Sequence, residues 1–273
     1  MTITELKKWE TKKIDSNLND ATLAKLMHGE IPAIKVLDFL DESLLNFYKK
    51  EVSYYKWEKL YKESNNSFLG PVLPKVFFDG GEDINALTKH ANEVENKGIY
   101  AKSAMHLIYL MVGYLSVQTG RNVQFLGKQN EKLWAGSGAF RVLTSTYGYH
   151  PHYDSINRYP WLIKHLEKEA ESELSCILHL SIPRNNGGET TLYDFVHHPS
   201  HNNDEHYKET GFFYSKSLIK NIDNIVLTPD EGSLTLFPTV KYHAVDAIPN
   251  VERISCGFFV VKLFDDETLY VYV

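Results

Sequence analysis

The stretch Thr146-Tyr147-Gly148-Tyr149-His150-Pro151-His152-Tyr153-Asp154 ends on an imidazole and a carboxylate two positions apart. Residues two apart on a β-strand project from the same face, so His152 and Asp154 can grip one metal ion from one side. Taken alone the pair is commonplace and reads equally well as a surface strand pair. Its weight comes from three residues about a hundred positions further along the chain.

The first of them, His243, supplies a second imidazole. Two neutral imidazoles and one carboxylate on one face of an octahedron, with the opposite face open, form the ligand set that suits non-haem Fe(II) oxygen chemistry. Ten positions on, Arg253 offers a planar fork of donors matched to a carboxylate, and Ser255 adds a hydroxyl on the same strand face. The intervening Ala247-Ile248-Pro249-Asn250 reads as a turn that sends the chain back as a neighbouring strand, returning the guanidinium to the same pocket. Such an arrangement suits a dicarboxylate co-substrate. Singly, His243 would pass for a satisfied core histidine and Arg253 for half of a structural ion pair; their order and spacing argue for a site.

With those residues the chain resembles the Fe(II)/2-oxoglutarate-dependent oxygenases, whose pattern is His-x-Asp/Glu, a distant His, then Arg or Lys about ten residues later. The approach from Thr146 to Asp154 and the run Gly187-Gly188-Glu189-Thr190 look like the prolyl-hydroxylase-like branch. The resemblance implies His152, Asp154 and His243 as iron ligands and as the catalytic centre. It further implies Arg253 and Ser255 as the hold on the far carboxylate of 2-oxoglutarate, and O2 as the second co-substrate. A closer likeness over Ala139 to Val273 is to the small freestanding halogenases and hydroxylases of amino-acid and indole-alkaloid metabolism, including the strand Phe259-Val260-Val261-Lys262. Those halogenases carry Gly or Ala in place of the acidic ligand, which frees an iron position for chloride. This chain keeps Asp154, so the resemblance points to hydroxylation rather than halogenation.

A chain of 273 residues and 31.4 kDa can bury one large core. A net charge of −6 and a pI near 6.1 give no positive field for phosphate backbones, which excludes nucleic acid as the expected partner. Cys176 and Cys256 both lie in apolar, strand-like stretches and read as buried thiols, as in a cytoplasmic protein. The start of the chain lacks an apolar signal core, and the apolar run Leu107 to Leu115 is shorter than the roughly 20 residues a membrane span needs.

Near-alternation over residues 29 to 39 and the helical spacing after Asp41 predict a first strand leading into a helix. Helical spacing recurs over 83 to 96 and 101 to 119, with Gly120 as a stop. Beyond Gly138 the texture changes to short strands at 139–146, 175–182, 190–195, 225–227, 233–237 and 254–263. The expected architecture is α+β and mainly β: a double-stranded β-helix, or jelly roll, with helical support. One domain spans 1–273, with 1–135 mostly helical support plus the first strands and 136–273 the jelly-roll core, interrupted by an insertion at about 197–217. The segment between Asp154 and Leu174, containing Trp161, Leu162, Ile163 and Leu166, is expected to form a short helix covering the metal mouth.

Arg141, on the strand before the motif, would need a partner if it points inward, either a substrate carboxylate or a buried acid. Tyr149, His150, Tyr153 and Trp161 surround the ligand stretch and are candidates for shaping a substrate pocket, although such residues more often simply pack. His197, His198, His201 and His206 sit in a polar stretch whose spacing fits no familiar closed zinc pattern, and a substrate-facing or simply solvated loop is the favoured reading. The expected activity is hydroxylation of an unactivated C–H bond in a small molecule, a free amino acid or natural-product intermediate, with release of succinate and CO2. Desaturation, cyclisation or epimerisation, prolyl-type hydroxylation of a protein, and a non-catalytic jelly-roll binding protein are the competing readings. A monomer or homodimer without membrane or nucleic-acid partners is expected.

Overall fold

The computed structural model describes residues 7–54, 58–59, 66–69, 83–89, 102–126, 139–143, 148–182, 187–247 and 252–272, with backbone alone at 58–59, 66–69, 102–105 and 139–143. The strands in chain order are β1 (Ile34–Val36), β2 (Glu58–Lys59), β3 (Asn66–Leu69), β4 (Val123–Phe125), β5 (Ala139–Leu143), β6 (Tyr149–His152) and β7 (Ala170–Ser181). The chain continues through β8 (Thr190–Val196), β9 (Asn224–Leu227), β10 (Leu234–Pro238), β11 (Lys241–Val245), β12 (Arg253–Leu263) and β13 (Leu269–Tyr272). A nine-stranded major sheet runs β1-β10-β7-β12-β5-β3-β2, with β13 and then β4 attached along β12. A four-stranded minor sheet runs β6-β11-β8-β9. Among these strands all ladders are antiparallel except the β4–β13 pair. The two facing sheets are the jelly roll that the strand texture implied.

The period of two along the central strands assigns the faces. Leu174, Cys176, Leu178 and Leu180 of β7, Leu234 and Leu236 of β10, and Cys256, Phe258 and Val260 of β12 point outward into the main core. There they meet α1 (Asp20–Met27), α2 (Glu42–Ser53) and α3 (Lys102–Thr119) through Leu23, Leu26, Leu45, Val52, Leu107, Met111 and Leu115. The intervening residues face the minor sheet: Ile177 and Phe237 pack with Leu192 of β8 and Leu227 of β9. Strands apolar on both faces are what a sheet covered on both sides requires. Asn19 caps α1 with a reciprocal pair of hydrogen bonds to Thr22, and Asp41 caps α2 by accepting from the Leu44 N–H.

Both cysteines are buried in that core. Among the described residues no helix is long and apolar enough to cross a membrane. Several boundaries differ from expectation: β7 begins at Ala170 rather than 175, and β11 is not among the expected strands. Lys241 and Tyr242, both buried, belong to that unexpected strand. The 83–96 helix is described over 84–89 only, and the 144–146 end of the predicted strand at 139–146 lies outside the described residues.

Candidate metal centre

β6 and β11 lie side by side in the minor sheet with His152 directly opposite His243. Their rings stand 4.2 Å apart, centroid to centroid, tilted by 53°. Gly148, just before β6, makes that approach possible: its φ is +67°, and a Cβ there would collide with the Val245 carbonyl oxygen of β11. Asp154 departs from the expected arrangement. β6 ends at His152, so Asp154 lies two residues past it, in a loop whose backbone turns onto Thr239; the Asp154 N–H donates to the Thr239 carbonyl at 2.9 Å. The loop, rather than strand alternation, brings the carboxylate back beside the imidazoles.

Each imidazole is set by its own strand. His152 Nδ1 lies 2.8 Å from the His150 carbonyl and His243 Nδ1 lies 3.1 Å from the Lys241 carbonyl. A carbonyl only accepts, so each Nδ1 carries the proton and each Nε2 presents a lone pair, the outer-partner arrangement typical of metal-binding histidines. Both Nε2 atoms face Asp154 Oδ2, at 3.9 Å from His152 and 3.4 Å from His243. The three donor atoms all lie within 4.8 Å of one another, and this is the one such group among the described residues. His152 and His243 are buried, whereas Asp154 keeps 20% of its side chain exposed, so the group opens to one side. Burial first, and the neighbouring His243 imidazole second, push His152 down to about 3, which keeps it neutral and able to ligate at physiological pH. Two neutral nitrogens, one carboxylate and an open side fit a divalent iron.

Arg253 and Ser255, the candidate co-substrate residues, lie in a different sheet from the one the sequence implied. β12 pairs with β5, β7 and β13 in the major sheet, not with β11, so the chain crosses between sheets after Val245. Residues 248–250 of the proposed turn lie outside the described residues. Arg253 and Ser255 are nonetheless on the inward face of β12, since Ile254, Cys256 and Phe258 point to the outer core. The Arg253 Nη1 donates to the carbonyl of Gly188, in the run leading into β8, where Gly187 and Gly188 have φ of +135° and +77°. Arg253 thus ties β12 to the run leading into β8 of the minor sheet while the residue stays buried. Arg141 lies opposite Ser255 in the β5–β12 ladder; its side chain is outside the described residues.

The predicted lid forms as α4 (Pro160–Leu166), but it is not a cover for the metal mouth. Leu162 and its partly buried neighbour Trp161 pack with Ile156, Tyr159, Phe259, Val261 and Tyr272, at the far end of β12 and β13. Trp161 is therefore core packing. The rings that lie against the ligand are Phe212 and Phe213, 5.5 and 5.6 Å from His152, contributed by the insertion after α5 (Glu205–Thr210). Arg158 clamps that insertion down: it donates to the Tyr153 and Gly211 carbonyls and lies over the Tyr153 and Phe212 rings at 4.7 and 4.4 Å. The Tyr149 ring lies 5.8 Å from that of His152, and the His150 ring lies 4.8 Å from that of His206. Tyr153 turns the other way and stacks on His197 at 4.2 Å. Of the remaining histidines, His197 bonds Asn202 and His201 bonds the Tyr242 hydroxyl, so these rings hold the insertion together.

A family model for carrier-protein-independent halogenases, WelO5, matches residues 19–273. The chain belongs to that halogenase family. It stands accordingly within the Fe(II)/2-oxoglutarate-dependent oxygenases, whose cofactors are iron and 2-oxoglutarate. No curated protein sequence matches it. Solved structures support the fold: an N-substituted L-amino acid dioxygenase from Burkholderia ambifaria AMMD shares 17% identity at a TM-score of 0.59, covering 92% of this chain and 91% of that one. The same dioxygenase in complex with alpha-KG gives 0.58 at 17% identity over 92% and 90%. The non-haem alpha-ketoglutarate-dependent carbocyclase SnoK from nogalamycin biosynthesis gives 0.51 at 10% identity over 92% and 87%.

In this member of the halogenase family the Asp154 loop rests on a buried acid that sequence reading missed. Glu173 of β7 accepts from the Ile156 N–H at 2.8 Å and the Tyr272 hydroxyl at 2.7 Å, and its backbone carbonyl accepts from Thr239, the residue that holds Asp154. Burial is the main cause that pushes Glu173 up from an ordinary 4.5 to about 7, against the pull of its Ser155, Ile156 and Tyr272 hydrogen bonds. The folded protein therefore keeps a proton that the unfolded chain has already lost. Stability from this group is complete below about pH 4.5 and is lost as the pH rises to about 7, by up to about 3 kcal/mol. Glu173→Gln has no such proton to lose. Denaturant titrations of the metal-free protein should show the variant gaining about 2–3 kcal/mol on wild type between pH 4.5 and 7.5; parallel pH profiles would contradict this.

Proposed function

We propose that this protein hydroxylates an unactivated C–H bond of a small molecule, a free amino acid or natural-product intermediate, using Fe(II), 2-oxoglutarate and O2. In this reading His152, Asp154 and His243 hold the iron, and Arg253 and Ser255 hold the far carboxylate of 2-oxoglutarate. The iron supplies the activation of O2, coupled to oxidative decarboxylation of the co-substrate: one oxygen atom enters succinate and the other the product, with CO2 released. The protein's own part is positioning. The two Nδ1–carbonyl bonds aim the imidazoles, the Thr239 carbonyl holds the Asp154 loop, and the Phe212 and Phe213 rings lie against His152.

The observation that carries hydroxylation over halogenation is the Asp154 carboxylate, whose Oδ2 lies 3.9 and 3.4 Å from the Nε2 atoms of His152 and His243. A carboxylate in that place takes the position that a halide would need. The compact aromatic mouth and the net negative charge favour a small substrate over a nucleic-acid polymer. Incubation of the iron-loaded protein with a panel of amino acids and related metabolites, in buffer with chloride and with bromide, should give products heavier by one oxygen in both buffers and succinate in equal amount. Halogenated product would overturn the hydroxylase assignment, and products lighter by two hydrogens would replace it with desaturation or cyclisation.

A further inference from the structure

The interior face of the major sheet carries one more polar side chain, which neither the metal group nor the packing of the core employs. His179 lies on β7 opposite Ser255 of β12. Leu178 and Leu180 on either side of it point out to the helices, and Ile177 points in toward the minor sheet. His179 therefore shares the inward face with Ser255 and with Arg253 two positions along. Only 5% of the residue is exposed, and its Nδ1 is fully buried with no hydrogen-bond partner among the described residues. The backbone on both sides is pinned: the His179 N–H donates to Ser233 at 3.2 Å and its carbonyl accepts from Gly232 at 2.8 Å. The residue is thus held in place while Nδ1 goes unpaired.

Burial first, then the positive charges of Arg253 and Lys35, keep this imidazole neutral. A neutral imidazole still has one N–H to donate, and an orphaned buried polar atom is a cost that a packing role would avoid by using leucine. An anion lying between the Arg253 guanidinium and the Ser255 hydroxyl would give the His179 imidazole the acceptor it lacks. We propose that His179 is a third residue of the co-substrate slot, donating an imidazole N–H to the carboxylate that Arg253 and Ser255 hold. The inference rests on the reading of Arg253 and Ser255 as a dicarboxylate anchor.

The test measures binding by calorimetry on the full chain loaded with Mn(II), a redox-inert stand-in for iron. Its probes are 2-oxoglutarate and 2-oxopentanoate, which keeps the chelating end and chain length but lacks the far carboxylate. His179→Leu should weaken 2-oxoglutarate by about tenfold or more while leaving 2-oxopentanoate and Mn(II) within about twofold of wild type. His179→Gln, which keeps a donor, should recover part of the loss. If the leucine variant does not fold, His179→Phe, a ring of similar size without a donor, takes its place. Unchanged 2-oxoglutarate binding overturns the proposal, as does an equal loss for both acids, which marks a packing defect. A wild-type protein that binds neither acid would instead defeat the dicarboxylate reading on which the proposal stands.

Discussion

Asp154→Ala is expected to fold, to bind Fe(II) at least about 100-fold more weakly than the parent, and to release no hydroxylated product. The fold should survive because Asp154 lies in a loop beyond β6, keeps a fifth of its side chain exposed and contributes its backbone, not its carboxylate, to the bond with Thr239. Metal affinity should fall steeply. Losing an outer partner of a ligating histidine already costs about 10- to 100-fold, and here the one anionic ligand itself is removed. Both Nε2 lone pairs remain, so weak residual binding through His152 and His243 is expected rather than none. Equilibrium Fe(II) titration and product mass measure the two effects separately. Wild-type turnover in the variant would remove Asp154 from the metal group. Because the chain belongs to a halogenase family, the product should also be weighed for chlorine.

Arg253→Leu should leave the metal group intact and weaken 2-oxoglutarate. Arg253 lies on the opposite sheet from both histidines, and its exchange touches neither of the Nδ1–carbonyl bonds that orient them. Hydrogen bonds to a charged partner contribute about 1.5–3 kcal/mol, so losing the forked pair should raise the Kd for 2-oxoglutarate by about 10- to 150-fold. The side chain also donates to Gly188, and its loss leaves that carbonyl without the donor that ties β12 to the start of β8, so a modest loss of stability is expected as well. The discriminating result is the ratio of effects: KM for 2-oxoglutarate rises steeply while Fe(II) affinity stays near wild type. Equal losses in both would mean that Arg253 holds the sheets together and does nothing more.

The candidate metal ligands are legible in the sequence because their types and order admit few other uses, and the structure brings all three together. The route by which they meet is not legible. A two-residue period shows that His152 and Asp154 could share a face, but it does not show that β6 stops at His152 and that Thr239 catches the loop beyond it. The turn signal at Ala247-Ile248-Pro249-Asn250 says that the chain reverses, not which sheet it joins, and β12 joins the other one. The spacing of Leu162 and Leu166 marks a helix with one buried side, while the identity of the buried partner depends on strands a hundred residues away. Phe212 and Phe213 are an apolar doublet inside a polar insertion, a signal the surrounding histidines obscure. Glu173 falls before the expected strand start at 175, among Glu171, Ser172 and Ser175, and His179 is a single polar residue in an apolar run, so only the ladder shows what each one faces.

The most direct test is anaerobic titration of the metal-free protein with Fe(II) and then 2-oxoglutarate, followed by visible absorption. The expected result is a weak, saturable charge-transfer band that needs both components, persists in a His179→Gln protein at higher 2-oxoglutarate, and disappears in His243→Ala. A folded wild-type protein that develops no band at any concentration would contradict the assignment of His152, Asp154 and His243 as an iron centre, and with it the proposed hydroxylase.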